Sequence, residues 1–433
     1  MESYKDLSSF LDASVVNFLA VKTLRSHLDR HGFQELNMSD AWDLRAGGRY
    51  YVTKNDTALF AWICADTADE HVTPFHIIAS HCDSPGFRIK PNCEILCEGN
   101  VVKLNTEVYG GPILYTWFDR PLSLAGRVVL RSEDPLFPRH EIIRFDRHLL
   151  TIPHLAIHFN RAVNEGNPLS KQKDMLPVLG RVGSAEEARG LVTGLVARKL
   201  DVDPAEILDY DLSLYDTTRA CVCGLNGEYI TSGRLDDLSM VHASLHALLD
   251  AAEDPSAAHR VMAVFDNEET GSGTKQGAGS PVLDYILRRI SARFDGPAEE
   301  EYFRAVTRSF MISADDAHGL HPNYPEKQDP TNHPLLGGGP VVKINANCKY
   351  MSDADSAAVF RSICEGAGVP CQYFVNHSDV AGGSTLGNIL TSQIPLRGVD
   401  VGAPIWAMHS VRETASLSDH AAMTAAFRHF FSL

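Results

Sequence analysis

Four apolar stretches of the chain each lead into a cluster of polar residues. They cover residues 74–80, 261–265, 309–314 and 398–408, and their hydrophobic content predicts buried strands. The residues that follow them include His81 and Asp83, Glu268 and Glu269, Asp315 and His318, and His409. Open α/β sheets gather functional groups beyond the carboxyl ends of their strands. We therefore expect these clusters to come together at one edge of a sheet.

The adjacent glutamates Glu268 and Glu269 are the most informative of these pairs. They follow a predicted buried strand and precede a glycine-rich loop. Burying two carboxylates is costly unless a cation holds them. A metal ion bound by one glutamate and a water molecule activated by the other would satisfy both. A solvated pair at a strand end is the alternative, and the other clusters favour the metal.

A fifth cluster begins a predicted helix. Four leucines fall roughly on one helical face, which predicts an amphipathic helix: Leu235, Leu238, Leu245 and Leu249. Asp236 and Asp237 would lie in its first turn, where carboxylates complement the helix dipole. Considered alone, this segment favours that capping role over binding a cation.

The middle of the chain differs in character from both ends. Short strands separated by turns are predicted at 101–104, 122–130 and 142–145, whereas a long amphipathic helix is predicted from about residue 4 to residue 30. The middle block interrupts the series of polar clusters. The sequence therefore predicts an α/β catalytic domain formed by residues 1–91 plus 228–433, with a mainly β domain, residues 92–227, inserted into it.

The composition of the chain restricts the classes of partner that the protein is expected to bind. The chain has 433 residues, 44% of them hydrophobic, and a net charge of −16, which argues against nucleic acid or an anionic membrane as a partner. No secretory signal and no apolar stretch long enough to cross a bilayer is evident. The nine cysteines form no Cys-x-x-Cys pair, which favours free thiols and a reducing, cytoplasmic setting.

The motifs together resemble the M18 metallopeptidases, the aspartyl aminopeptidase family, nearly from end to end. The matching stretches are His81-Cys82-Asp83-Ser84-Pro85, residues 152–158 and 163–166, Gly233-Arg234-Leu235-Asp236-Asp237-Leu238, Phe265-Asp266-Asn267-Glu268-Glu269, residues 313–318, residues 339–343 and Ala407-Met408-His409-Ser410. The departures are mild: Cys82 replaces the expected Thr or Ser, Asp237 a common Asn, Asp316 a common Met, and Cys348-Lys349 a usual Gln-Arg pair. None removes a ligand, although Asp237 and Asp316 add negative charge.

The resemblance implies a mixed-sheet, zinc-peptidase-like catalytic domain with an inserted oligomerisation domain. It also implies two metal ions per subunit, held by five residues: His81, Asp236, Glu269, Asp315 and His409. Asp236 would bridge the ions, with Glu269 and His409 on one and His81 and Asp315 on the other. Imidazole and carboxylate ligands suit Zn²⁺, and Co²⁺ or Mn²⁺ would also fit.

The same resemblance assigns the remaining roles. Glu268 would be the general base, and Asp83 would orient the His81 ring. Lys343 and Tyr350 would contact the substrate side chain, and His318 would stabilise the oxyanion. His158, or His154 four residues before it, would reach the active site of a neighbouring subunit in a dodecamer.

These roles imply a metallo-aminopeptidase that acts on peptides with an N-terminal Asp or Glu. The net negative charge gives an acidic substrate no help, so any such preference needs a local basic group. Two alternatives stay open: the same enzyme with a preference for neutral, Leu-type residues, and a catalytically silent assembly protein that keeps the fold.

Overall fold

The computed structural model describes residues 2–66 and 72–433. The chain clusters into two compact units. The first consists of Met1–Asp83, Ala220–Met408 and Glu413–Leu433, and the second of Ser84–Arg219 and His409–Arg412. Among the described residues, no helix is both long enough and apolar enough to cross a bilayer.

The helices of the described chain are α1 Glu2–Ala13, α2 Asn17–Arg30, α3 Ala185–Ala188, α4 Leu191–Leu200, α5 Leu235–Asp250, α6 Val282–Phe294, α7 Glu299–Arg308, α8 Ala354–Gly366, α9 Leu386–Leu390 and α10 Leu417–Phe431. Its strands are β1 Gln34–Glu35, β2 Arg49–Lys54, β3 Ala58–Ile63, β4 Phe75–His81, β5 Gly86–Cys97, β6 Val101–Tyr109, β7 Leu122–Leu130, β8 Arg139–Arg144, β9 Val178–Arg181, β10 Ile207–Asp216, β11 Cys221–Cys223, β12 Tyr229–Ser232, β13 His259–Phe265, β14 Phe310–Ala314, β15 Ala317–His318, β16 Val341–Ile344, β17 Gln372–Val375, β18 Arg397–Gly402, β19 Pro404–Trp406 and β20 Glu413–Ser416.

The first unit contains a mixed nine-stranded sheet in the order β1-β2-β3-β13-β4-β14-β18-β16-β17. Its central strands β13, β4, β14 and β18 are mutually parallel, and antiparallel strands flank them on both sides. This architecture confirms the α/β fold class. A parallel sheet is covered by helices on both faces, and for this reason its central strands are continuous apolar runs in the sequence.

Strand β13 shows how the sheet divides two hydrophobic cores. Met262 and Val264 belong to one core, together with buried side chains of α2, α5 and α10. Val261, Ala263 and Phe265 belong to the other, together with buried side chains of α6, α7 and α9. Successive residues of a strand point to opposite faces, so this run is buried along its whole length.

The predicted helix over residues 4–30 is wrong in one respect, because the chain forms two helices there. Helix α1 ends at Ala13, and α2 begins at Asn17 after Val16, which has extended dihedral angles of φ −148° and ψ 162°. Val15 and Val16 are both buried at the break. Adjacent β-branched residues disfavour a helix, and the break lets both valines enter the protein interior.

The second unit is built on an antiparallel six-stranded sheet in the order β8-β7-β10-β5-β6-β9. The three strands predicted in this region are present as β6, β7 and β8. Its own core contains side chains of this sheet, such as Leu124 and Leu212, together with Val192 and Val196 of α4.

Candidate metal centre

Three neighbouring parallel strands bring the predicted ligands of the first unit together. His81 is the last residue of β4, and it lies opposite Phe265, the last residue of β13. Glu268 and Glu269 follow β13, and Asp315 follows β14 on the other side of β4. Because all three strands point the same way, their carboxyl ends place these side chains at one edge of the sheet.

The donor atoms at this edge lie within the reach of metal ions. Ligand atoms of His81, Asp236 and Asp315 are all within 4.8 Å of one another, and Asp236 and Glu269 also have oxygen atoms within this distance. The His81 Nε2 atom is 3.4 Å from Asp236 Oδ1. Two ligands about 2.0–2.1 Å from a common tetrahedral zinc ion are separated by roughly this distance. The residues present therefore fit the predicted zinc ions, with Asp236 at the centre.

Asp236 reaches this position through an irregular helix start. Helix α5 begins after Arg234, which is left-handed, and Asp236 and Asp237 have non-helical dihedral angles joined by a cis peptide bond. The Asp236 N–H donates to Glu413 Oε2 at 3.2 Å, and Asp237 Oδ2 accepts the His81 N–H at 3.1 Å. The amphipathic helix is thus present, but its two aspartates do not occupy the regular first turn that a capping role requires.

Asp83 contacts both the histidine and the paired glutamates. Its Oδ1 and Oδ2 atoms accept the backbone N–H groups of Glu268 and Glu269 at 3.1 and 3.2 Å. Its Oδ1 atom also lies 3.3 Å from Nδ1 of His81, which is 3.1 Å from the Asp83 carbonyl oxygen. Asp83 can therefore position the His81 ring and the Glu268-Glu269 turn together.

The buried acids raise one another's proton affinity. Burial raises the pKa of Glu268 to about 8, and the nearby Asp315 and Asp236 carboxylates add to this effect. Burial also raises the pKa values of Asp237, Glu269 and Asp316 above their usual range. So many acids in a small buried space need cations to stay ionised, since burying unpaired charge is costly. This chemistry agrees with a site for divalent ions.

Lys343 is a buried cation beside the cluster. It lies in β16, is 4% exposed, and places its Nζ atom 3.3 Å from Asp315 Oδ2 and 5.8 Å from the centre of the Tyr350 ring. Burial lowers the pKa of Lys343, but Asp315 and the other nearby acids outweigh burial and raise it above its usual value. Lys343 is therefore charged, as the predicted contact with an acidic side chain requires.

His318 borders a cavity of the first unit. The cavity has a volume of about 280 Å³, and its lining includes His318, His377, Trp406 and Met408. The His318 ring packs edge-on against Phe374 at 5.8 Å. An exposed imidazole at the wall of such a cavity can contact a bound small molecule.

The remaining predicted residues belong to the second unit. His409 clusters with this unit, where its Nδ1 atom lies 3.1 Å from the Gly111 carbonyl oxygen, so its place among the ligands remains a prediction. His158 is exposed, whereas the His154 ring stacks on Phe118 at 4.2 Å. The stacking leaves His158 as the more accessible of the two histidines.

Sequence reasoning missed three polar contacts around the cluster. In these contacts Glu413 accepts the Asp236 N–H, Asp237 Oδ2 accepts the His81 N–H, and Ser239 Oγ donates to Asp316 Oδ2 at 2.7 Å. Glu413 lies in β20, in a segment without a distinctive motif. No spacing or composition signal distinguishes it from an ordinary strand residue.

The fold and the cluster define a class of protein. A mixed α/β sheet that presents imidazole and carboxylate ligands at the carboxyl ends of its parallel strands, next to a glutamate that can accept a proton, is the arrangement of a metallohydrolase.

Comparison with known proteins identifies the family within this class. Residues 10–431 match the family described as "Aminopeptidase I zinc metalloprotease (M18)". The chain is 46% identical over 428 residues to the "Probable M18 family aminopeptidase 2" of Clostridium novyi (strain NT), covering 99% of this chain and 98% of that protein. The chain belongs to the M18 family and is a metallo-aminopeptidase.

Solved structures agree on the fold. The Ape4 and Nbr1 complex contains a chain that matches with a TM-score of 0.94 at 33% identity, covering 99% of this chain and 85% of that one. The mApe1 dodecamer of S. cerevisiae matches with a TM-score of 0.85 at 23% identity, covering 99% and 95% of the two chains.

Proposed function

We propose that this M18 aminopeptidase uses a dinuclear metal site to release N-terminal Asp or Glu from peptides. The observation that carries the proposal is the convergence of His81, Asp236 and Asp315 within 4.8 Å, with Glu268 and Glu269 beside His81. One metal would use His81 and Asp315, the other Glu269 and His409, and Asp236 would bridge them. Zn²⁺ is the proposed ion, as the family description states, and Co²⁺ or Mn²⁺ suits the same ligands.

When bound, divalent ions supply Lewis acidity and lower the pKa of a water molecule. Glu268 would act as the general base, accepting a proton from the attacking water and returning it to the leaving amine. Asp83 holds Glu268 in place by accepting its backbone N–H. The adjacent Glu269 has a different task, as a metal ligand.

Lys343 is the proposed determinant of the acidic preference. Its ammonium group is buried beside Asp315 and Tyr350. A substrate bound at the proposed metal site would therefore have its N-terminal side chain near Lys343. If Asp315 binds metal, its charge is neutralised and Lys343 can pair with the substrate carboxylate. His318, at the wall of the 280 Å³ cavity, is proposed to stabilise the oxyanion.

The second unit is proposed to direct assembly into a homo-oligomer, a dodecamer like that of S. cerevisiae mApe1. Residues 92–227 are the proposed oligomerisation domain. Exposed apolar side chains support this role: Leu155 is 57%, Ile157 51% and Phe159 81% exposed. An apolar patch of this kind marks an interaction surface. His158, in the same segment, would contact the substrate of a neighbouring subunit. We also propose that the protein is located in the cytoplasm.

Hydrolysis of Asp-, Glu- and Leu-derived chromogenic substrates, with metal content measured on the same preparation, tests the proposal. We expect two ions per chain and the highest kcat/KM for the acidic substrates. A higher kcat/KM for the Leu substrate would favour the neutral-preference alternative. Absence of hydrolysis with zinc, cobalt and manganese supplied would favour the silent assembly protein.

The paired glutamates provide internal controls for each other. We expect Glu268→Gln to retain both ions and to lose about 10²- to 10⁴-fold in kcat, because it removes the general base. Glu269→Gln should instead lose metal from one site. Full turnover by the Glu268→Gln protein would contradict the general-base assignment.

A further inference from the structure

A second group of metal-ligating side chains lies away from the candidate metal centre, where helices α1 and α5 meet. His242 and His246 are one turn apart on α5, so they share one face of the helix, and Asp6 of α1 faces them. The Asp6 Oδ2 atom is 3.3 Å from His242 Nε2 and 2.7 Å from His246 Nε2. Ligand atoms of all three residues lie within 4.8 Å of one another.

The hydrogen bonds of His242 indicate which of its nitrogens carries a proton. His420 of α10 bonds to the backbone of Ser239, where only a carbonyl group can accept from the ring. The Nε2 atom of a neutral His420 is then the acceptor toward His242 Nδ1, 3.1 Å away. If His242 Nδ1 donates this bond, the Nε2 atom of a neutral His242 carries a lone pair, and it points at the Asp6 carboxylate.

A neutral His242 and an ionised Asp6 are both favoured by their surroundings. Burial lowers the pKa of His242 to about 4, so its ring is neutral at neutral pH, where the partly exposed Asp6 carboxyl is ionised. In the tautomer with the proton on His242 Nδ1, two acceptor atoms, His242 Nε2 and Asp6 Oδ2, face each other at 3.3 Å, whereas in the other tautomer His242 Nε2 donates to Asp6. The contact between two acceptors is repulsive unless something positive lies between them.

His246 adds a third donor atom to the same place. Its Nε2 atom lies close to Asp6 Oδ2 but outside hydrogen-bonding geometry, and it makes no hydrogen bond in the described part of the chain. One divalent cation can bind both imidazoles and the carboxylate at once. The 3.3 Å separation of His242 Nε2 and Asp6 Oδ2 is also about the distance between two ligands on a tetrahedral zinc ion.

We propose that Asp6, His242 and His246 bind a divalent transition-metal ion of the zinc class, separate from the catalytic metals. A hydrogen bond donated by His242 Nδ1 to His420 would fix the tautomer of His242, as such contacts commonly do for metal-ligating histidines. The site is open on one side, because the side chains of Asp6 and His246 are 45% and 30% exposed. Water completes the coordination. The ion joins the N-terminal helix α1 to α5.

Metal stoichiometry tests this proposal. Tag-free parent protein, Asp6→Asn, His246→Gln and the matched control His31→Gln, an exposed histidine at the end of α2, are dialysed against zinc and analysed for metal. We expect both Asp6→Asn and His246→Gln to bind one equivalent per chain less than the parent, with unchanged aminopeptidase activity, and His31→Gln to match the parent. The difference between variant and parent does not depend on how many ions the catalytic site holds.

Hydrogen exchange localises the ion. In the parent, zinc should slow amide exchange in the peptide that covers α1, and this protection should be lost in Asp6→Asn and His246→Gln. Equal metal content in parent and variants would overturn the proposal. Loss of metal together with loss of activity would assign the missing ion to the catalytic cluster and would overturn it too. If His246→Gln does not fold, the metal content of Asp6→Asn, a substitution at a half-exposed position, decides whether this second metal site exists.

Discussion

Asp83 shows how one carboxylate can hold several residues of the candidate site in place. Both its oxygens accept backbone N–H groups, those of Glu268 and Glu269, and its Oδ1 atom also lies near the His81 ring. A buried carboxylate with several donors is held rigidly, since each lost bond would leave it unsatisfied. The turn that presents the proposed base and the proposed ligand is therefore fixed relative to the histidine.

Lys343 allows a test of substrate choice at a single residue. Lys343→Met should lower kcat/KM for Asp and Glu substrates by about 10- to 100-fold, because a charge-assisted hydrogen bond contributes about 1.5–3 kcal/mol. The value for a Leu substrate should change much less. Steady-state kinetics with the three substrates measures the difference.

Lys343→Arg serves as the control, since it keeps the positive charge and should retain most of the acidic preference. Metal content must be measured in both variants because Lys343 contacts Asp315. An equal loss of kcat/KM for acidic and neutral substrates would show that Lys343 stabilises the site but does not recognise the substrate side chain.

His259 gives a pH-dependent contribution to stability. It is fully buried against Phe75 and Phe294, and its Nδ1 accepts the Ala65 N–H at 3.0 Å. Burial lowers the pKa of His259 from 6.5 to about 3. Below pH 6.5 His259 binds a proton in the unfolded chain but not in the folded chain. Its contribution to the free energy of unfolding is therefore complete above this pH and is lost as the pH falls.

At about pH 4.5 this loss amounts to about 3 kcal/mol, at 1.36 kcal/mol per pKa unit. His259→Asn keeps an acceptor for the Ala65 N–H but has no titratable ring. We expect the variant to be less stable than the parent near neutral pH, because packing is lost, and the gap to narrow toward pH 4.5. Thermal unfolding midpoints of parent and variant over this pH range measure the difference in stability. A difference that does not change with pH would contradict the prediction.

At the scale of elements, the parallel strands explain why much of the site could be predicted. Strands β4, β13 and β14 are buried on both faces, so they stand out as apolar runs, and the polar residues that follow them are easily recognised. The alignment of strand ends then brings His81, Glu269 and Asp315 together. Contacts between residues that are far apart in the sequence, such as that of Glu413 with the Asp236 N–H, have no such local pattern.

Helix boundaries were harder to predict for a related reason. The hydrophobic residues of α1 and α2 fit one continuous amphipathic helix, because both helices pack on the same core. The break at residues 14–16 depends on where Val15 and Val16 find space in the interior. The periodicity of hydrophobic residues indicates which face of a helix is apolar, but it does not indicate where the helix is interrupted.

Arg260 joins the ends of two helices and offers a test at this scale. Its guanidinium group, in β13, donates to the carbonyl oxygens of Phe431 near the end of α10 and of Ala251 and Asp254 just after α5. Arg260→Met would leave these carbonyls without their donor, and each unsatisfied buried group costs about 1–3 kcal/mol. We expect a loss of about 3 kcal/mol or more in the free energy of unfolding, measured by denaturant titration.

Arg428→Met is the matched control on α10. Arg428 is 57% exposed and forms a surface ion pair with Asp250 at 3.6 Å, and such pairs contribute little. Its substitution should change stability by no more than about 0.5 kcal/mol. Similar losses in the two variants would mean that Arg260 has no special role at the helix ends.

For the whole molecule, the question is whether one subunit completes the active site of another. His158 belongs to the second unit and is exposed within a segment that also exposes Leu155, Ile157 and Phe159. His154, in contrast, packs on Phe118. The two histidines thus differ in their surroundings, and only His158 is free to reach across an interface.

Complementation between inactive variants tests this sharing. His158→Ala and Glu268→Gln should each be nearly inactive as homo-oligomers. When the two chains are co-expressed and purified as mixed assemblies, some sites will combine an intact Glu268 with an intact His158 from the neighbour. Random mixing in a symmetric assembly gives roughly a quarter of such sites, so up to about a quarter of parental activity should return. His154→Ala should instead retain activity alone, because its ring packs within its own unit. Mixed assemblies no more active than the separate variants would show that His158 acts, if at all, within its own chain.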